Sequence, residues 1–332
     1  MSGAPARLLV TLPANDDTAR AISARLPSVP FQFGTTAPEG PWPAVEALLT
    51  GTLDRELPKW DPAKAPKLQF VQRLFTGLDG FPFDRVPPTV KVAGNVGAFA
   101  PYVAEQAMTL TLAILRNLPL GMENVKAGKL RPAPEARSLV GRTVLLLGYG
   151  EIARALSARL HPFGVTVEGV NRDGSARDGC DRMFPASQLA TALARAEVAI
   201  DCRPLTVATR NSIGAAELGR MKPNAVYVNV GRAGTVDEAA LFAHLQSHPD
   251  FRVGLESWWQ EDYVKGTLGS RFPYASLPNV IGTPHNAGFV AGSRPSILNS
   301  ALDNLARFFG GQPPRFVADP AEYRGLDVQP KP

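Results

Sequence analysis

A short run, Gly148-Tyr149-Gly150-Glu151-Ile152-Ala153, follows the apolar stretch Thr143–Leu147 and opens a segment with helical periodicity. Strand, glycine turn and helix in that order make a cradle for a pyrophosphate. Gly148 permits the tight turn, Gly150 lets the backbone approach phosphate oxygens, and the helix N-terminus offers unpaired N–H groups with the positive end of its dipole. Ala153, where a third glycine often stands, is still small enough for helix–strand packing. About 20 residues further on, at the end of the next strand, such a site needs a group that reads the adenosine ribose. Here the strand Val165–Val170 ends in Asn171-Arg172-Asp173. An acid at 171 would grip the 2′-hydroxyl of NAD and repel a 2′-phosphate. Asn171 and Arg172 instead offer a hydrogen bond and a cation, which tilts the reading toward NADP, with dual use open and Asp173 as an alternative ribose ligand.

The other reactive side chains point to fewer chemistries. Of four histidines, His161 and His248 each precede a proline and His244 lies on a polar helix face, none with a partner at ligand spacing, so no metal is expected. Two cysteines, Cys180 and Cys202, fit a reduced, cytoplasmic protein. The net charge of +5 comes from arginines scattered among acids, with no long basic run, no aromatic–basic alternation and no zinc spacing. No nucleic-acid partner is expected; a weak positive field suits small anionic substrates. The start carries no long apolar signal segment, and no apolar run approaches the roughly 18 residues of a membrane span.

The elements that must hold these residues come in two textures across 332 residues, a length suited to about two domains. The first hundred residues mix strands (Leu8–Thr11, Leu68–Gln72, Val90–Ala93) and short helices (Thr18–Arg25, Val45–Leu49) with proline-rich loops at Pro38–Pro43 and Pro82–Pro88. After a helix over Pro101–Leu115 and a polar stretch over 118–140 that reads as a loop, apolar strands alternate with helices. Strands at Thr143–Leu147, Val165–Val170, Val198–Cys202, Ala225–Val230, Val253–Glu256 and Val280–Thr283 are separated by helices at Ile152–Leu160, Ala186–Arg195, Ala215–Met221 and Glu238–Gln246. That alternation predicts a parallel sheet covered on both faces. A last helix spans Gly292–Phe309. The fold class is α/β, with a Rossmann-type doubly wound domain over 99–288 inserted in a second domain made of 1–98 and 289–332.

Three stretches carry a more specific likeness. Met221-Lys222-Pro223-Asn224-Ala225-Val226-Tyr227-Val228-Asn229-Val230-Gly231-Arg232-Ala233-Gly234 resembles the segment bearing the catalytic arginine of D-isomer-specific 2-hydroxyacid dehydrogenases, a family that includes glyoxylate/hydroxypyruvate reductases. Leu277-Pro278-Asn279-Val280-Ile281-Gly282-Thr283-Pro284-His285-Asn286-Ala287-Gly288 resembles the segment bearing their catalytic histidine. Val103-Ala104-Glu105-Gln106-Ala107 is similar to the opening of their interdomain helix. The resemblance runs from about Leu68 to Phe309 and implies a flavodoxin-like substrate domain beside the Rossmann domain, with chemistry in the cleft between them.

What the resemblance implies for residues is concrete. Reducing a 2-oxoacid needs a hydride at the carbonyl carbon and a proton at its oxygen. Imidazole exchanges protons near neutral pH, so His285 suits the acid/base role. Arg232 would hold the substrate carboxylate bidentately and polarise the carbonyl. A carboxylate beside His285 would favour the imidazolium; the strand end Glu256-Ser257-Trp258-Trp259-Gln260-Glu261 nominates Glu261, with Asp262 as the alternative. Glu256, where the family usually has aspartate, would sit near the nicotinamide amide. Arg203, Pro204 and Thr209 resemble the loop against the cofactor's riboses, Arg203 being placed to face a 2′-phosphate, and Val230 and Gly288 join the cofactor set. Gln72–Asp79 occupies the place of the substrate loop, with Phe75, Thr76 and Gly77 at the substrate carboxylate and Asn95 lining the other side. Phe75 is bulky for that loop and would narrow the pocket or wall it. The stretch 118–140 resembles a dimerisation arm, which implies a homodimer. A small-anion oxidation of formate or phosphite type, or a dinucleotide sensor without turnover, are the alternatives on this fold.

Overall fold

The computed structural model describes residues 5–36, 39–130, 135–262 and 265–326. They form two compact units, one drawn from Met1–Phe99 and Ala291–Pro330, the other from Ala100–Val290.

The first unit opens with strand β1 (Leu8–Val10), helix α1 (Asp16–Arg25), strands β2 (Phe31–Phe33) and β3 (Ala47–Thr50), helix α2 (Leu53–Glu56), and strands β4 (Phe70–Arg73) and β5 (Lys91–Ala93). The sheet order is β2-β1-β3-β4-β5 with every neighbour parallel, the flavodoxin-like order. Asn15 caps α1, its side-chain oxygen accepting from the Thr18 N–H at 2.8 Å. The stretch expected as a helix at Val45–Leu49 is strand instead: β3 lies mid-sheet and is buried at every position. A short apolar run has the same hydrophobic pattern in a buried helix and a doubly covered strand, so periodicity could not separate them. On one face Trp42 and Trp60 stack at 5.7 Å among Leu9, Leu48 and Val71.

The second unit begins with α3 (Ala100–Leu115) and α4 (Leu118–Lys126), then β6 (Thr143–Leu147), α5 (Glu151–Leu160), β7 (Thr166–Asn171), β8 (Arg182–Pro185), α6 (Leu189–Arg195), β9 (Val198–Asp201), α7 (Ala215–Leu218), β10 (Val226–Asn229), α8 (Glu238–Ser247), β11 (Arg252–Leu255), the hairpin β12 (Gln260–Asp262) and β13 (Thr267–Gly269), and β14 (Val280–Gly282). The main sheet runs β14-β11-β10-β9-β6-β7-β8, all parallel. The chain winds from β6 outward through β7 to β8, then returns beside β6 at β9 and winds the other way, so a switch point lies between β6 and β9. Strands β6, β9 and β10 are almost wholly buried, as strands covered on both faces must be. The chain then re-enters the first unit as α9 (Arg294–Phe309), packing on α1 and β4.

Part of the stretch read as a loop over 118–140 is helix α4. Its proline stands in the first turn, where a missing N–H costs nothing. Asn117 separates α4 from α3 at φ 52°, its side chain held by Arg252. No described helix is long and apolar enough to cross a membrane.

His244 on α8 is not simply on a polar face. Its ring stacks on His248 at 4.0 Å and meets Phe251 edge-on at 4.6 Å, and its buried Nε2 has no partner among the described residues. Burial, then the neighbouring His248, pushes its pKa down to about 4. Between that value and the usual 6.5 the unfolded chain takes up a proton that the folded chain refuses. Stability from this site is therefore complete above the usual value and falls as pH drops toward about 4. Urea midpoints at neutral and mildly acid pH should show a smaller acid loss in His244→Phe than in the wild type; equal losses would refute this assignment.

Candidate active site

In the second unit the residues singled out by sequence collect at the carboxyl ends of the strands, where open α/β sheets bind ligands. Gly148 follows β6 at φ 81°, and a Cβ there would lie 2.6 Å from Arg203 Cγ, so only glycine fits both the turn and the close approach. In front of α5 the position of Gly150 is open, with nothing within 4 Å of a built Cβ. Free space before a helix N-terminus fits the pyrophosphate of a nicotinamide dinucleotide. Tyr149 turns into the core, 6% exposed, and leaves only its backbone to the turn. Glu151 and Ile152 form the first turn of α5.

Asn171 closes the loop after β7: its Oδ1 accepts from the Gly174 N–H at 2.6 Å and its Nδ2 donates to the Ser175 carbonyl at 2.8 Å. Arg172 is exposed beside it. Asp173 is also exposed, and hydrogen bonds from the Ser175 hydroxyl and N–H hold its carboxyl below the usual range.

Arg203 departs from expectation. Its side chain is 11% exposed and spends its nitrogens on buried partners, Nε and Nη2 on Asp201 at 2.9 and 2.6 Å and Nη1 on Ser212 Oγ at 2.9 Å. Burial works against its charge, but the Asp201 carboxylate more than offsets this and raises its pKa. It braces the glycine turn from beneath instead of facing a 2′-phosphate. Thr209 folds back on the Pro204 carbonyl at 2.6 Å and on the Thr206 N–H at 2.8 Å, closing that loop.

Sequence reasoning missed Asp201, the hub of this edge. It is wholly buried at the end of β9 and also accepts from Tyr227 Oη at 3.0 Å, with Thr235 Oγ1 at 2.9 Å. Burial, reinforced by Asp201, raises the Tyr227 pKa well above its usual value and keeps it a donor. Thr235 Oγ1 lies 2.9 Å from the Arg232 carbonyl, and Asn229 Nδ2 donates to that carbonyl at 3.1 Å while Asn229 Oδ1 accepts from the Gly231 N–H at 3.1 Å. At Gly231 a Cβ would meet the Arg203 carbonyl oxygen at 2.3 Å. The backbone that carries the half-buried Arg232 is thus fixed from three sides, with Val230 buried just before it. An acid directly ending an apolar strand was the available signal.

His285 stands after β14 at φ 52°. Its Nδ1 lies 2.8 Å from both Glu261 oxygens, with the two side chains 24% and 14% exposed. Alternation along β12 explains the choice between adjacent acids: successive side chains point to opposite faces. Asp262 instead accepts from the Lys265 N–H at 3.0 Å in the hairpin turn. Trp258 joins the pair, its N–H donating to Glu261 Oε1 at 2.8 Å and its indole to the Thr283 carbonyl at 2.9 Å. Glu256, 1% exposed, accepts from the Ala287 N–H at 2.6 Å and from the Thr283 hydroxyl. Gly288 is half-buried beyond it.

In the first unit the loop after β4 presents Phe75, 45% exposed, with its ring 6.3 Å from Phe99. The backbone N–H groups of Thr76 and Gly77 donate to no described residue. Asn95 differs from expectation: it is 3% exposed, and its side chain ties the Leu74 and Ile297 carbonyls and Ser300 together. It supports the loop and has little surface to offer a substrate.

The glycine turn at a switch point, with a histidine–carboxylate pair and an arginine at the same sheet edge, belongs to the nicotinamide-dependent dehydrogenases. Comparison with known proteins makes this specific. A sequence model for the D-isomer specific 2-hydroxyacid dehydrogenase, NAD binding domain, matches residues 108–287. Glyoxylate/hydroxypyruvate reductase B of Salmonella newport is 30% identical over 249 residues, covering 73% of this chain and 75% of its own. Among solved structures, a Pyrobaculum aerophilum protein provisionally named a formate dehydrogenase superposes with TM-score 0.80 at 29% identity, over 96% of this chain and 99% of that one. An NADPH-dependent glyoxylate/hydroxypyruvate reductase from Sinorhizobium meliloti, in complex with NADP and malonate, superposes with TM-score 0.72 at 26% identity, over 97% and 99%. The chain belongs to the D-isomer specific 2-hydroxyacid dehydrogenase family. It is an NAD(P)-dependent oxidoreductase that exchanges a hydride between a nicotinamide cofactor and a 2-hydroxyacid/2-oxoacid pair.

The Asp201–Arg203 pair sets a stability expectation. Neutralising one partner of a buried ion pair typically costs about 3–5 kcal/mol, because the other charge is left without compensation. Asp201→Asn should lose stability on that scale in urea unfolding; a variant as stable as the wild type would remove Asp201 from its place as hub.

Proposed function

We propose that this enzyme is a homodimeric, NADPH-preferring reductase of small 2-oxoacids such as glyoxylate and hydroxypyruvate, with His285, Glu261 and Arg232 as its catalytic residues. The observation that carries the reading is the His285–Glu261 pair at 2.8 Å. An ionised carboxylate only accepts, so Nδ1 carries a proton toward Glu261 and Nε2 is the atom left to exchange a proton with the substrate oxygen. Glu261 holds the ring in that orientation. Arg232, on its braced loop, holds the substrate carboxylate; in the first unit Thr76 and Gly77 are read as substrate-binding residues. A bound nicotinamide supplies or takes the hydride; Gly148, Gly150 and the start of α5 would hold its pyrophosphate.

Preference for NADPH rests on Arg172. Arg172 is exposed at the end of β7, and position 171 carries no acid to repel a 2′-phosphate. The unit made of 1–99 and 291–330 is read as the substrate-binding domain. The two cysteines are unpaired, which fits the cytoplasm. The dimer reading rests on the arm: Leu118, Met122, Val125, Leu130 and Val140 are 53–93% exposed, and apolar surface of that kind marks an interface.

Consumption of NADPH and NADH, followed in parallel with glyoxylate, hydroxypyruvate, pyruvate and phenylpyruvate, tests the activity. His285→Ala should lower kcat by about 10²–10⁴-fold. Arg172→Ala should cut the preference for NADPH about tenfold, the worth of one charged hydrogen bond. Silence on every acid would overturn the substrate reading, and faster turnover with NADH would overturn the cofactor reading. Light scattering should give twice the chain mass, with Val125→Glu combined with Leu130→Glu yielding monomers; a monomeric wild type would refute the dimer.

A further inference from the structure

The acid at the end of β11 does something other than its place in the family implies. A side chain that reads the nicotinamide amide must keep an oxygen accessible at the surface. Glu256 is 1% exposed, and each of its oxygens accepts a hydrogen bond from within the chain: Oε1 from the Ala287 N–H at 2.6 Å, Oε2 from the Thr283 hydroxyl. Those partners flank His285 on either side. Thr283 Oγ1 in turn accepts from Gln106 Nε2 on α3 at 3.0 Å, so the hydroxyl's one proton is directed to Glu256. The Glu256 N–H is itself fixed, donating to the Asn229 carbonyl at 2.9 Å.

The loop needs such a hold. His285 sits in the left-handed region, which costs a residue with a Cβ of order 1–3 kcal/mol and persists only where the surroundings enforce it. Glu261 and Trp258 hold it from the hairpin side; no described residue on that side fixes Ala287. Glutamate, one methylene longer than aspartate, reaches from β11 to both flanks of the loop.

We propose that Glu256 is a positioning residue, a two-point clamp on the His285 loop, and that it does not contact the nicotinamide amide. This builds on His285 as the acid/base, but its main readout does not depend on catalysis. Hydrogen exchange of backbone amides 283–289 in the cofactor-free enzyme should speed up about tenfold or more in Glu256→Gln and Thr283→Val, and stay near wild type in Thr283→Ser, which keeps the hydroxyl. Calorimetric Kd values for NADPH should stay within about twofold in all three, since no contact to the cofactor is lost. In Glu256→Gln and Thr283→Val kcat should fall with KM little changed.

Unchanged exchange in both Thr283→Val and Glu256→Gln would overturn the clamp. So would NADPH binding weakened tenfold in Glu256→Gln with wild-type exchange, the signature of a lost amide contact. Should Glu256→Gln fail to fold, the Thr283 pair decides alone, and equal exchange in the valine and serine variants refutes the proposal. A His285→Ala enzyme that still turned over would sink the acid/base assignment while leaving the exchange result standing.

Discussion

A charge taken into a protein interior is stable only when its partners are built around it, and at the end of β9 those partners come from three separate stretches of chain. Arg203 brings the loop that braces the Gly148 turn, Tyr227 lies within β10, and Thr235 anchors the segment that carries Arg232. The glycine turn and the loop that carries Arg232 are therefore registered against one carboxylate. Buried ion pairs of this kind seldom add stability over apolar packing of the same shape. What Asp201 contributes is relative position: glycine turn and arginine loop cannot drift apart without uncovering its charge.

The same economy governs the other end of the sheet edge. Around His285 the hydrogen bonds close into a circuit, from Glu261 to Trp258, from Trp258 to Thr283, from Thr283 to Glu256, and from Glu256 to Ala287. A histidine in the left-handed region is a local cost, and the circuit is the constraint that sustains it. The hairpin of β12 and β13 exists within this logic, since it delivers one acid to the ring and turns the next one away.

Much of this was legible in the chain itself. The alternation of apolar strands and helices located the doubly wound sheet, and the glycine turn stands out by type and spacing; Arg232, His285 and Glu261, the last with Asp262 beside it, are nominated by the family resemblance. The failures share a cause. Val45–Leu49 is equally apolar as helix or strand, and only its place in mid-sheet decides. Arg203 looks like a phosphate ligand until Asp201, two residues earlier, is seen to consume it. Asn95 and Glu256 have the polarity of ligand contacts, but both are buried and hydrogen-bonded within the chain. Polar residue types announce hydrogen bonds; which partner receives them is settled by tertiary placement, which spacing along the chain does not encode.

The four tryptophans divide usefully by environment. Trp42 and Trp60 stack inside the first unit, and Trp259 lies on Tyr274. Trp258 alone joins its indole N–H to the segment that bears the histidine. Its emission is thus wired to the state of the loop that bears His285, while Trp42 and Trp60 give a spectroscopic background from the other unit. The molecule carries its own optical gauge of order in the loop around His285, placed there by a hydrogen bond whose first task is mechanical.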